Sequence, residues 1–318
     1  MATTDTREET APQGSTSSGQ QGGPTICIIS VNYNNSRLLA DCVEKSEHAL
    51  ATVPHEFVLV DNASTDDSLE VLHSRFANWA NVRINQAKFN GGFGAGCNRG
   101  AAIARADILW FLNSDAWITD ISGLREAIEY LAMPDTAIVG TAACLASGLP
   151  CPQAGGELSF SYLLLSSLRL GKLFRSLPPS LSRLIRRMRF FAPATLRRYF
   201  DSFGHTHRRS IYLSTSAGGA SFLMRKEAYD ALNGFDERFF LYDEDADLCA
   251  RAVNARYQIY IQPRIVARML ESATTSRLPS LALKRIKKRS RTLLIQKHFA
   301  GLRKQTLLLL TALTWRLL

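Results

Sequence analysis

Two acidic clusters hold most of the chemical potential of this sequence. In "ILWFLNSDAWITD" an apolar run, Ile108 to Leu112, ends at Asn113, Ser114 and a lone carboxylate, Asp115. In "FFLYDEDADLCARA" the carboxylates Asp243, Glu244, Asp245 and Asp247 directly follow Phe239, Phe240, Leu241 and Tyr242. Acids at a helix start ordinarily answer its positive end. Acids set against an aromatic wall are also desolvated, which raises their pKa and suits them to act as general bases. Two more polar clusters adjoin apolar runs: Asn32–Asn35 after "TICIISV", and Asp61–Asp66 at the end of "EFVLVDN". The glycine-rich "NGGFGAGCNRG" (90–100) would let backbone approach a ligand closely. It imitates a dinucleotide fingerprint only loosely. It follows the third strand of the pattern, and the first βα turn, where that fingerprint belongs, has no glycine.

The elements that must position these residues alternate. Residues 25–31, 56–62, 82–85 and 107–113 read as β-rich apolar strands. Helical patterns begin at Ser36, in "STDDSLEVLHSRFA" with Ser64 or Thr65 as cap, and after the glycine stretch. Such alternation predicts βαβ units around a parallel sheet, whose ligands bind beyond the C-terminal strand ends. The clusters 32–35, 61–66 and 113–115 are therefore expected on one rim. Further on, "ASFLM" reads as a strand, "KEAYDAL" as a helix that Gly234 ends, and "DEDADLCARA" as the start of another helix.

The chain has 318 residues and a net charge of +10, unevenly distributed. Residues 172–209 carry +9 and residues 272–318 carry +11, leaving −10 on the remainder. Confined basic segments point to one anionic surface as a partner. In "SLSRLIRRMRFF" an apolar helical face is ringed by arginines, a pattern that suits either an anionic bilayer or a solvated cover over a core. Residues 1–24, rich in Ser, Thr, Gln and Gly, read as a disordered tail without the pattern of a secretory signal. Six scattered cysteines without a C-x-x-C pair argue against structural zinc and a disulfide framework, and fit a reducing, cytoplasmic compartment. The apolar "LLLLTALTWRLL" is too short to span a bilayer but could lie on one.

Taken in order, "SVNYNN", "VDNASTDDS", "NGGFGAGCNRG", "FLNSDA" and "GGASFLMRKEAYDALNGFDERFFLYDEDADLCAR" resemble a family-2 glycosyltransferase of the GT-A fold, most closely its rhamnosyltransferase-like branch. The resemblance covers roughly residues 25–300. It implies an α/β fold with a Rossmann-like, mostly parallel sheet flanked by helices. The expected organisation is a tail (1–24), a nucleotide-sugar-binding half (25–149), a basic helical insertion (150–215), an acceptor and catalytic half (216–271) and a basic amphipathic C-terminal segment (272–318). By position it makes Asp115 a ligand of Mg²⁺ or Mn²⁺, with Asn113 standing where the family usually has a second carboxylate. It makes Asp61 the partner of a uracil or thymine edge, and Asp245, paired with Glu244, the general base. Val31, Asn32, Asn34, Asn62, Asn90, Gly91, Asn98, Asn113, Ser114 and Arg268 become donor-binding, and Gly219 and Asp247 acceptor-binding. A histidine usual in the family is missing from "IVARMLESATTS", where Arg268 stands nearby.

The implied activity is inverting transfer of a sugar from a dTDP- or UDP-sugar, L-rhamnose from dTDP-rhamnose above all. The implied acceptor is a lipid-linked or cell-surface glycan precursor, met at the inner face of the cell membrane. A nucleotide-sugar-binding protein without catalysis is a second reading, and a basic nucleic-acid-binding protein a third. The basic tail lacks the interleaved aromatics that the third would need.

Overall fold

A computed structural model describes residues 26–147, 150–151, 158–167, 210–270 and 280–316. The expected tail and the whole of the basic segment 172–209 lie outside them. Strands β1 (Ile26–Asn32), β2 (His55–Asp61), β3 (Val82–Gln86) and β4 (Ile108–Leu112) alternate with α1 (Ser36–Leu50), α2 (Ser68–Arg75) and α3 (Phe93–Ile103). Then follow β5 (Ala116–Asp120), α4 (Leu124–Leu131), β6 (Thr136–Leu145), β7 (Pro150–Cys151), α5 (Phe160–Ser167), β8 (Tyr212–Ser214) and β9 (Ser221–Arg225). The described chain closes with α6 (Lys226–Ala231), α7 (Glu244–Asn254), β10 (Gln258–Met269), α8 (Ser280–His298) and α9 (Gly301–Arg316).

Among the described residues, one ten-stranded sheet forms the centre, with main order β3-β2-β1-β4-β9-β6-β10-β5. The parallel pairing expected of βαβ units runs through β3–β2–β1–β4 and recurs between β6 and β10. β9 enters antiparallel between β4 and β6. Strands from residues 216–271 therefore interleave with those from 25–149 in a single sheet. Both faces are covered. One apolar cluster, including Ile29, Phe111, Phe222 and Phe235, takes up α3 and α7; the other, including Trp110, Leu39 and Leu124, takes up α1 and α4. This explains why β1, β2 and β4 read as continuous apolar runs rather than alternating ones.

Helix α2 differs from the sequence expectation. It starts at Ser68, so neither Ser64 nor Thr65 caps it. Ser64 is drawn instead to the Asp61 carboxylate. A third, small cluster of Leu163, Ile295 and Leu307 binds α5, α8 and α9 together, and α8 carries the densest run of basic residues. Cys27, Cys42, Cys97, Cys144 and Cys249 are free thiols. Burial pushes Cys249 up to about 12, so it serves packing rather than reactivity.

Candidate functional site

β1 and β2 end level with each other, with Asn32 opposite Asp61. The Asn32 amide donates to Asp61 Oδ1 at 2.9 Å and to Ser64 Oγ at 3.1 Å. Ser64 donates its hydroxyl to Asp61 Oδ1 at 2.6 Å and its backbone N–H to Oδ2 at 3.1 Å. Asn34, in the left-handed region at φ 53°, accepts from the Thr65 N–H at 2.8 Å. The first two strand-end loops are thus zipped together, and Asp61 is held in one orientation. Val31 lies below this rim: a Cβ on Gly96 would come within 2.6 Å of its Cγ1, so Val31 is the floor on which α3 packs.

The glycine stretch is fastened at both ends. The Asn62 amide donates to Asn90 Oδ1 at 2.9 Å and to the Gly92 carbonyl at 3.0 Å, and Asn90 Oδ1 also accepts the Gly92 N–H. Gly91 leaves little room, since a Cβ there would sit 2.8 Å from that of Ala95. Gly92 has φ +90°, and a Cβ there would lie 2.0 Å from the Phe240 carbonyl oxygen. That same oxygen accepts the Phe93 N–H at 2.9 Å. The loop therefore rests directly on the segment leading to the second acidic cluster. Asn98, expected at the donor, is engaged within the protein. Its oxygen accepts from the Tyr229 hydroxyl and the Phe235 N–H, and its amide donates to the Phe235 carbonyl and to Glu237. With every polar atom engaged, it is a brace between α3 and the 229–237 turn.

The third rim segment joins the two acidic clusters. Leu112 of β4 pairs with Ser221 of β9, and the Asn113 N–H continues the pairing onto the Ala220 carbonyl at 3.0 Å. One residue earlier, the Gly219 N–H donates to Asp245 Oδ2 at 2.8 Å. Asp245 Oδ1 accepts the Ala246 N–H, also at 2.8 Å. A Cβ on Gly219 would sit 2.9 Å from Asp245 Oδ2, so only glycine lets the carboxylate come this close. The carboxylates at 115 and 245, 130 positions apart in sequence, are thereby brought to one edge of the sheet. Ser114 and Asp115 are nearly buried. The Asp115 carbonyl accepts the Leu270 N–H, which places β10 beside it. Arg268 stands exposed two residues before Leu270, opposite Trp117 of β5.

Burial raises the pKa of Asp245, and the nearby Asp243 adds to the rise while the Ala246 and Gly219 N–H groups oppose it. Glu244 is raised well above the ordinary carboxylate range, by burial first and by Asp245 second. Its Oε2 is buried without a hydrogen-bond partner among the described residues. Burial of this kind favours the neutral form of the carboxyl over the charged one. Asp247, expected beside an acceptor, is engaged within the protein. It is fully buried and takes contacts from Arg251, Lys297 and His298. Burial works against its charge, but those three donors together outweigh it and lower the pKa. Asp247 is a structural anchor between α7 and α8.

No group of three or more His, Cys, Asp or Glu among the described residues could hold a metal by itself. Asn113, Ser114 and Asp115 do present hard oxygen donors, which suit Mg²⁺ or Mn²⁺ provided a ligand completes the coordination.

The sequence model described as glycosyl transferase family 2 matches residues 27–232, well over half of the chain. The chain belongs to this family. A second model, described as the N-terminal domain of galactosyltransferase, matches residues 199–274 and so takes in α7 and its acids. An O-antigen biosynthesis protein of Myxococcus xanthus is 27% identical over 267 residues, which is 81% of this chain and 18% of that protein. The chain thus spans less than a fifth of that relative's length. Two solved structures share the fold. One is a mannosyltransferase of Pyrobaculum calidifontis in complex with GDP-Man and Mn²⁺, at TM-score 0.54 and 13% identity, covering 92% of this chain and 74% of that one. The other is GalNAc-T7 with UDP, GalNAc and Mn²⁺, at TM-score 0.55 and 13% identity, covering 92% and 55%. For this family-2 chain, the GT-A-like arrangement of a central sheet flanked by helices accounts for the shared rim.

Proposed function

We propose that this chain transfers a sugar from a nucleoside-diphosphate donor to a glycan acceptor with inversion at the anomeric carbon. The observation that carries this reading is Asp245 held on the Gly219 amide, beside the rim that ends in Asn113–Asp115. In the proposed step, Asp245 removes the proton from an acceptor hydroxyl as its oxygen bonds to the anomeric carbon. The bond from that carbon to the diphosphate breaks, and its electron pair leaves on the diphosphate. A base is needed because an unactivated sugar hydroxyl is a poor nucleophile. Asp61, fixed by Asn32 and Ser64, would recognise the pyrimidine edge of the donor. Asp115, with Asn113 beside it, would hold Mg²⁺ or Mn²⁺. When bound with the donor, that cation would neutralise charge on the departing diphosphate. Arg268 adds a cation at the same edge.

The proposed donor is dTDP-L-rhamnose, on the resemblance of the loop, N-x-D and acidic motifs to the rhamnosyltransferase-like branch. The proposed acceptor is a lipid-linked or cell-surface glycan precursor, in keeping with the O-antigen biosynthesis relative. The proposed position on the inner face of the cell membrane is supported by the surface of α8 and α9. Leu281, Arg285, Lys288 and Arg289 are exposed at helical spacing on one face of α8. Leu302, Leu309 and Leu313 are exposed on one face of α9. No helix among the described residues is long and apolar enough to cross a membrane. Exposed basic and apolar side chains together suit an anionic leaflet.

The test is release of nucleoside diphosphate from a panel of sugar nucleotides with Mn²⁺. The expected result is selective turnover of dTDP-L-rhamnose that Asp245→Asn removes. Preference for a UDP-sugar would overturn the donor assignment. Binding of donors without turnover of any would overturn catalysis.

A further inference from the structure

The turn that launches α7 is left-handed at two successive residues, Tyr242 at φ 69° and Asp243 at φ 64°. Neither is glycine, and a bulky residue such as tyrosine is strongly disfavoured there. Such a conformation persists only where its surroundings over-determine it. The surroundings here come from one face of α8. Lys287 places its Nζ 4.4 Å from the Tyr242 ring centroid. Ser290 donates its hydroxyl to the Leu241 carbonyl at 2.8 Å. Arg291 donates from Nε to Asp243 Oδ2 at 2.9 Å and from Nη2 to Oδ1 at 2.8 Å, a two-pronged contact. Residues 287, 290 and 291 share a helical face, and they grip 242, 241 and 243 in turn.

Helix α7 starts from this turn, and the Asp243 carbonyl accepts the Asp247 N–H at 3.0 Å as one of its first helical bonds. Asp245 is the second residue of that helix. We infer that Arg291 is a positioning residue. By clasping Asp243 it fixes the left-handed turn, and so aims the Asp245 carboxylate at the Gly219 amide and the rim beyond it. The part of this inference that concerns turnover rests on the reading of Asp245 as the base; the part that concerns the turn does not. Asp243 accepts both Arg291 donors with both carboxylate oxygens, so a lysine at 291 could replace the charge but not the geometry.

The experiment uses the full chain with Arg291→Gln, Arg291→Lys and the double variant Arg291→Gln/Asp243→Gly. Amide hydrogen exchange is measured first, because it needs no activity. Arg291→Gln is expected to speed exchange at 241–247 at least tenfold while β1, β2 and β4 keep their protection. Turnover and donor binding are measured next. A fall in kcat of at least tenfold is expected with donor Kd held within about threefold. Glycine at 243 takes the left-handed conformation freely, so the double variant should recover part of the loss. Should Arg291→Gln not fold, Arg291→Lys carries the same comparison. Unchanged exchange at 241–247 would overturn the clasp. So would a parallel loss of kcat and donor affinity, or a double variant no better than the single one. If exchange responds as expected while the parent turns over no donor, the clasp stands and the transferase reading falls.

Discussion

Gly92→Ala is the substitution whose cost can be worked out most directly. Gly92 has φ +90° and ψ −178°, a region open essentially to glycine alone, so any side chain costs about 1–3 kcal/mol in backbone strain. The new Cβ would also stand 2.0, 2.6 and 2.7 Å from the O, C and Cα of Phe240. These are backbone atoms and cannot rotate away. Segment 240 must shift, at about 1–3 kcal/mol for overpacking. The Phe93 N–H to Phe240 hydrogen bond is lost with it, at about 0.5–1.5 kcal/mol. The sum is roughly 2.5–7.5 kcal/mol. Gly301→Ala is the control. Its φ is +54°, but nothing lies within 4 Å of a Cβ there, so only the left-handed penalty of about 1–2 kcal/mol applies. Thermal unfolding of both variants beside the parent measures the difference. At roughly 2 °C per kcal/mol for a chain of this size, Gly92→Ala should lower Tm by about 5–15 °C and Gly301→Ala by about 2–4 °C. Equal shifts in the two variants would refute the close approach of the glycine loop to Phe240.

Asp245→Asn is expected to lower kcat by about 10²–10⁴ with donor affinity nearly intact; because burial and Asp243 raise its pKa, the parent's kcat should rise with pH along an acid limb above the ordinary value of 3.8. A limb unchanged in the Asn variant would point to another base. Glu244 has a raised folded pKa, so its stabilising contribution is complete below the unfolded value and is lost as pH rises through the folded one. Glu244→Gln mimics the protonated form and should flatten the decline of Tm as pH rises above the ordinary carboxylate value of 4.5; a parallel decline in both proteins counts against it. Asp115→Ala should weaken donor binding with Mn²⁺ present far more than without it, as read by calorimetry; equal affinities with metal would remove Asp115 from the cation site. The protein should pellet with anionic liposomes at low salt and be released by salt, and indifference to lipid charge would assign the basic helices to another partner.

Much of the frame was legible because it is local. Strand-end polar clusters after continuous apolar runs placed β1, β2 and β4 and their shared rim. The helix start at Ser68 was not, because Ser64 could serve either as a cap or as a partner of Asp61, and only the paired loop decides. Asn98 and Asp247 stand among candidate site residues in sequence, yet packing has engaged them fully. Phe235 lies 137 positions from Asn98 and His298 lies 51 from Asp247, and no local pattern records such distances. Arg291 was hidden for the same reason: in sequence it is one more cation in a basic run. Gly92 was visible as a glycine, but its reason, the Phe240 carbonyl, was not.

The antiparallel entry of β9 between β4 and β6 has a consequence for how the chain must assemble. β1 to β4 complete their parallel pairings with residues before position 113, and these can dock early. The outer edge of β4 then has to wait, because its other partner begins at Ser221. The buried hydrogen bond from Trp110 Nε1 to Ser221 Oγ spans 111 positions. Until that partner is synthesised, β4 presents an open apolar edge of the kind that invites pairing between chains. Contacts of such long sequence separation also slow folding. During synthesis the β4 edge of the rim therefore stays open until β9 is made, β10 completes the sheet later still, and interruptions between residues 113 and 221 should yield aggregation-prone chains rather than a smaller stable domain.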